Sequence, residues 1–117
     1  MEHTVSITEQ TVPGFRISIT SKTSKQELGH AFLVIGKNDL HDEPFALLED
    51  VQVAETSRGQ GIGNMLLTCV EEKAREAGCY KLIATSRFAR EHVHEWYKRR
   101  GYEQHGLEFR KNLIPRP

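Results

Sequence analysis

The run Arg58-Gly59-Gln60-Gly61-Ile62-Gly63 constrains this chain more than any other, because it joins an apolar, strand-like stretch to an amphipathic, helix-like one. Glycine occupies three of the five positions from 59 to 63, and without Cβ atoms the main chain there can turn tightly and let another molecule approach its amides. The helix that follows begins inside the run. Its unpaired first-turn N–H groups and positive dipole end therefore face whatever the loop encloses. Such a strand–loop–helix is an anion cradle, best suited to phosphates.

Two common phosphate loops do not fit. A nucleoside-triphosphate loop ends in Gly-Lys-Ser/Thr, whereas Gly63 is followed by Asn64 and Met65. A dinucleotide loop read from Gly59 and Gly61 requires a third glycine where Asn64 stands, and an acid at the end of the next strand, where the chain has Thr85-Ser86-Arg87.

The pattern Arg58-x-x-Gly61-x-Gly63 instead resembles the acetyl-coenzyme A pyrophosphate loop of the GNAT superfamily of N-acetyltransferases. Leu47-Leu48-Glu49-Asp50-Val51-Gln52-Val53 precedes it as that family's central strand would, and residues 64–77 follow as its helix. Further on, Glu95-Trp96-Tyr97-Lys98-Arg99-Arg100-Gly101-Tyr102 is similar to the family's second signature, a tyrosine followed four residues later by glycine and an aromatic. The resemblance covers residues 16–113. It implies a mixed α/β fold of the α+β kind: a mainly antiparallel central sheet, two main helices, and a splayed parallel strand pair at the coenzyme site. It also implies acetyl-CoA as co-substrate, a primary amine as acceptor and no metal.

Periodicity supplies the elements independently. Residues 15–20 alternate apolar and polar as a half-buried strand does, and residues 28–35 read as a second, more buried one after a polar turn. Gly36-Lys37-Asn38-Asp39 breaks the chain before a third strand at residues 45–53. Ile62, Met65, Leu66, Cys69, Val70, Ala74 and Ala77 form one helical stripe, with Gly78 as the C-terminal cap. Residues 80–85 are then a short strand, parallel to the third by the crossover rule. Residues 87–100 form a second helix, with Val93, Trp96 and Tyr97 inward and Lys98, Arg99 and Arg100 at its negative end. Residues 101–104 and 107–113 read as a closing hairpin, and residues 5–8 as a short first strand.

At 117 residues the chain is expected to be one domain spanning 1–117. Sixteen basic against sixteen acidic residues provide no general field for nucleic acid, so any phosphate affinity must be local. No apolar run approaches a membrane span and Met1-Glu2-His3-Thr4 lacks signal-peptide character, which predicts a cytoplasmic protein. Cys69 and Cys79 are expected to be reduced and structurally buried. His92 and His94, two apart on a helix, point to different faces and do not make a metal pair.

The resemblance assigns candidate roles. Glu49 matches a carboxylate that takes the acceptor's proton in some members; the alternative is a salt bridge or a backbone contact. Tyr97 stands at the general-acid position, the alternative being a core aromatic with a satisfied hydroxyl. The backbone at Val51 and Val53 would pair with the pantetheine arm like an added strand, and the N–H near Val53 would meet the thioester oxygen. Gly59, Gln60, Gly61, Ile62, Gly63 and Asn64 would cradle the pyrophosphate, which Arg58 either clamps or serves by fixing the loop. Arg90 is a further coenzyme candidate. Only fourteen residues precede Phe15, where members carry one or two helices that wall the acceptor pocket. The acceptor side is therefore expected to be open or completed by a second subunit, and a homodimer would cover the apolar hairpin surface at residues 28–35. The runner-up function is a non-catalytic acyl-CoA sensor or subunit.

Overall fold

The computed structural model describes residues 2–116. They fall into two compact units, one running to Ala84 and the other starting at Thr85.

The first unit holds a four-stranded sheet: β1 (Gly14–Thr20), β2 (Glu27–Gly36), β3 (Phe45–Val53) and β4 (Leu82–Ala84), in spatial order β1-β2-β3-β4. The first two pairings are antiparallel and β3 pairs β4 in parallel. Alternation decides the faces. Phe15, Ile17 and Ile19 of β1 are half-buried between exposed neighbours, and Ala31, Leu33 and Ile35 of β2 are buried beside Ala46 and Leu48 of β3. Helix α1 (Ile62–Glu76) covers this apolar face and adds Ile62, Leu66, Leu67, Val70 and Ala74 to the core. Leu33, Leu48, Leu66, Leu67 and Val70 are fully buried, each contributing about 1.5–3 kcal/mol of transfer free energy. The result is the expected mixed, mainly antiparallel sheet with one parallel pair. The β3–β4 ladder joins only Ala46, Leu47 and Leu48 to Leu82, Ile83 and Ala84, while β3 continues to Val53.

The buried stripe of α1 is rotated toward Leu67, which the sequence pattern omitted, and away from Met65 and Cys69, which are exposed. Cys69 is thus not a core residue. Cys79 is half-buried, burial pushing its thiol above the ordinary value, and both cysteines are free.

The second unit contains α2 (Glu91–Arg99), four residues shorter at its start than the periodicity predicts. Residues 87–90 instead form a turn in which the Arg90 amide donates to the Arg87 carbonyl at 3.1 Å and His94 Nε2 donates to the same oxygen at 2.8 Å. No closing hairpin forms: residues 103–116 contain no strand, and Phe109 is 89% exposed. Alternation without a surface to cover does not stabilise an isolated hairpin. For the same reason residues 5–8 form no strand, and Val5 and Ile7 are exposed.

Candidate active site

The geometry of the site begins with an irregularity in β3. Glu49 pairs with Phe32 and Gln52 with His30, so Asp50 and Val51 together oppose the single residue Ala31. This is a β-bulge, and Asp50 adopts the left-handed conformation at φ 51°. The extra residue reverses the alternation of the backbone. The Ala46 amide donates to Lys81 O at 2.9 Å, on the β4 edge, and regular alternation would send the Ala54 amide to that edge too. Instead Ala54 donates to Leu28 O at 2.8 Å, on the β2 edge. Beyond the bulge it is therefore Val51 and Val53 whose amides and carbonyls face the edge that β4 leaves open. No described strand pairs with that edge past Leu48.

The glycine loop follows directly. A 3-10 turn at Glu55–Ser57 buries Ser57, whose amide donates to Ala54 O at 2.8 Å. Gly59 and Gly61 have φ 81° and 80°, and Gly61 is the N-cap of α1. That residue has no side chain with which to cap the amides of Ile62 and Gly63 at the start of α1. A Cβ on Gly59 or Gly61 would meet no protein atom within 4 Å. The space in front of both is open, and the conformation excludes other residues by strain. Arg58 is exposed, and Gln60 Nε2 donates to Thr56 O at 3.4 Å. Asn64 lies in the first turn of α1.

Gly29 is a positioning residue that the sequence pattern does not reveal. It sits opposite Val53, and a Cβ there would fall 2.9 Å from Gln52 O and 3.0 Å from the side chains of Ile62 and Leu66. Only a bare position lets the first turns of α1 lie this close to the sheet, and that contact places the glycine loop at the end of β3. A glycine inside a strand pattern was the available signal.

Glu49 projects from the face of the sheet opposite α1, beside Phe32. It is exposed and makes no hydrogen bond or ion pair with the described residues of the first unit. The burial that an acid in an apolar strand suggests is absent.

In the second unit, Tyr97 is fixed by the way α2 ends. Gly101, at φ 92°, lets its own amide donate to Lys98 O and the Tyr102 amide to Tyr97 O, both at 3.0 Å. This is a Schellman motif, and the accompanying side-chain contact is the edge-on packing of Tyr102 against Tyr97, with ring centroids 5.2 Å apart. The spacing of tyrosine, glycine and aromatic seen in the sequence is the spacing this closure requires. The Trp96 ring lies against Tyr97 at a 37° tilt, with centroids 5.1 Å apart. Burial raises the Tyr97 phenol above its ordinary value, partly offset by the charge of Arg90, which is the N-cap of α2. The phenol accordingly stays protonated and can serve as a proton donor. Among the described residues no three His, Cys, Asp or Glu side chains converge as a metal site, and no helix is long and apolar enough to cross a membrane.

A mixed sheet with a bulged central strand, an open parallel edge and an uncapped glycine loop is the acyl-CoA N-acyltransferase fold. Solved structures agree. An acetyltransferase from Trypanosoma brucei superposes with a TM-score of 0.77 at 28% identity, over 86% of this chain and 69% of that one. Glucosamine-6-phosphate N-acetyltransferase from Arabidopsis thaliana shares the fold with a TM-score of 0.79 at 20% identity, over 86% of this chain and 67% of its own. In sequence, aminoalkylphosphonate N-acetyltransferase of Salmonella typhimurium is 36% identical over 66 residues, 56% of this chain and 43% of that protein. The profile of the acetyltransferase (GNAT) family matches residues 25–102. The chain belongs to that family. It spans less than half the length of the curated relatives it matches.

Proposed function

We propose that the chain transfers the acetyl group of acetyl-CoA to a primary amine by direct attack in a ternary complex. The observation that carries this reading is the phase-reversed edge of β3, which offers the amides of Val51 and Val53 immediately before the loop of residues 58–63. An extended pantetheine arm would add to that edge as a strand does, and the pyrophosphate would meet the amides at the start of α1.

The transfer needs no covalent enzyme nucleophile. The amine lone pair attacks the thioester carbon, an oxyanion forms and collapses, and the carbon–sulfur bond breaks. Glu49, exposed on its strand, is suited to take the amine's proton directly or through water. The Val53 amide would donate to the oxyanion. Tyr97, whose phenol stays neutral, would protonate the departing thiolate. Arg58 and Arg90 are assigned to the coenzyme's phosphates by charge. Two curated relatives are named for amines that also carry a phosphorus acid group, an aminoalkylphosphonate and a glucosamine 6-phosphate. Such amines are the first acceptors to try.

The test is calorimetric titration with acetyl-CoA beside a thiol-release screen over aminophosphonates, amino-sugar phosphates, plain amines, peptide N-termini and lysine. Saturable binding with turnover on one class supports the reading. Binding with no turnover on any amine would refute the transfer, and absence of binding would refute the site.

A further inference from the structure

The face of the sheet opposite α1 carries a chain of hydrogen bonds that ends on the bulge. Arg16 of β1 donates to both carboxylate oxygens of Glu27, at 2.6 and 3.0 Å. Glu27 Oε2 lies 3.2 Å from His30 Nδ1, and His30 Nε2 lies 3.1 Å from Asp50 Oδ2. The other Asp50 oxygen accepts from Gln52 Nε2 at 3.2 Å. Three strands are tied in this way to one residue, and it is the residue held in the left-handed conformation. His30 also sits at the register break, paired with Gln52 and one residue before Ala31. Its ring and that of Phe32 meet edge-on, with centroids 5.8 Å apart, and it is less exposed than the Glu27 and Asp50 side chains it touches. The hydrogen bonds from His30 and then Gln52 hold the Asp50 carboxyl below its ordinary value.

We propose that His30 is a positioning residue for acetyl transfer: by gripping Asp50 it locks the bulge, and the bulge keeps the Val51 and Val53 amides on the open edge. The inference rests on the coenzyme reading of that edge. Its physical basis is that an L-residue in the left-handed region is strained unless its surroundings hold it there. A strand free to expel the extra residue would return to regular alternation, which exchanges the two edges of the backbone as surely as it exchanges the two faces. Gln52 would then face the open edge in place of its two neighbours.

The test compares wild type with His30→Ala, His30→Gln, Asp50→Gly and the double variant His30→Ala/Asp50→Gly. Acetyl-CoA affinity is measured by calorimetry, and amide hydrogen exchange at Gln52 and Ala54, which the bulge directs to β2, by NMR in the free protein. His30→Ala should weaken affinity about tenfold and speed exchange at Gln52 and Ala54, whose amides would leave the β2 edge. His30→Gln, which can still donate to Asp50, should lose less. In the double variant glycine adopts the positive φ without strain, so affinity should return to within about twofold of wild type. Support for the fold alone would not be restored by changing Asp50, and that separates positioning from general stabilisation. His30→Ala matching wild type in affinity and exchange, or a double variant no better than His30→Ala, would overturn the proposal. Should His30→Ala not fold, a folded double variant with near-wild-type affinity supports the lock, and an unfolded one overturns it. Wild type that binds no acetyl-CoA refutes the coenzyme site instead, and exchange at Gln52 and Ala54 in the variants then decides on the lock alone.

Discussion

The two helices of this protein end in the same way and are held by different means. Gly78 closes α1 as Gly101 closes α2: each glycine has positive φ, donates to the carbonyl three residues back, and lets the following amide reach five residues back. Between those ends α1 buries five residues, including Leu66, Leu67 and Val70, whereas α2 buries none. Helix α1 is thus set by packing, with no side-chain cap at its N-terminus. Helix α2 is set by its C-terminal closure and by the rings around Tyr97, so local chemistry carries there what the core carries in α1.

This difference can be broken or sharpened by experiment. The largest effect is expected in the core: Leu66→Ala should lower unfolding stability by about 2–5 kcal/mol, while Val93→Ala on the half-buried face of α2 should cost roughly 1 kcal/mol. Equal shifts in denaturant midpoint at matched slopes would erase the distinction. Next in size, Tyr97→Phe should reduce turnover by about two orders of magnitude while coenzyme affinity stays within a small factor, because the ring remains and the proton does not. Wild-type turnover in that variant would return Tyr97 to a packing role. At the open end of α1, Gly61→Val should weaken acetyl-CoA binding by about tenfold or more, since a branched residue neither tolerates φ 80° nor leaves the amides accessible. Unchanged affinity in a folded variant would remove the phosphate role of the loop. The smallest effects separate the two closures. Gly78→Ala and Gly101→Ala should each cost roughly 1–2 kcal/mol of local strain, but the first should appear in global unfolding and the second in turnover. The reverse pattern would mean that α2 is no less core-dependent than α1.

What the sequence revealed divides along the same line. β1, β2, β3 and α1 were legible because each has a periodic apolar face and a core to meet, and the glycine run marked the loop between them. Periodicity also located Tyr97 on α2, and glycine four residues later marked the helix end. The closing hairpin was misread at residues 107–113 because alternation records an amphipathic strand only where a partner surface exists, and Leu107, Phe109 and Leu113 remain exposed. The start of α2 was misplaced because the His94 ring, seven residues away, holds the Arg87 carbonyl in a turn. The sequence stripe includes Cys69 because a helical stripe read from sequence is wide enough to hide a partial rotation of the helix. The bulge left no local mark, since the acid pair Glu49-Asp50 reads equally as part of a regular strand and the partner His30 lies twenty positions earlier.

The bulge has a consequence for how this stretch can vary. What Val51 and Val53 would offer a coenzyme is main chain, so their side chains are open to exchange among residues that fit a half-buried strand. The number of residues between Leu48 and Val53 is not. A single deletion there would leave every remaining side chain chemically intact and still present the other half of the backbone to the open edge. Lineages carrying this strand should therefore differ freely in its letters and hardly at all in its length.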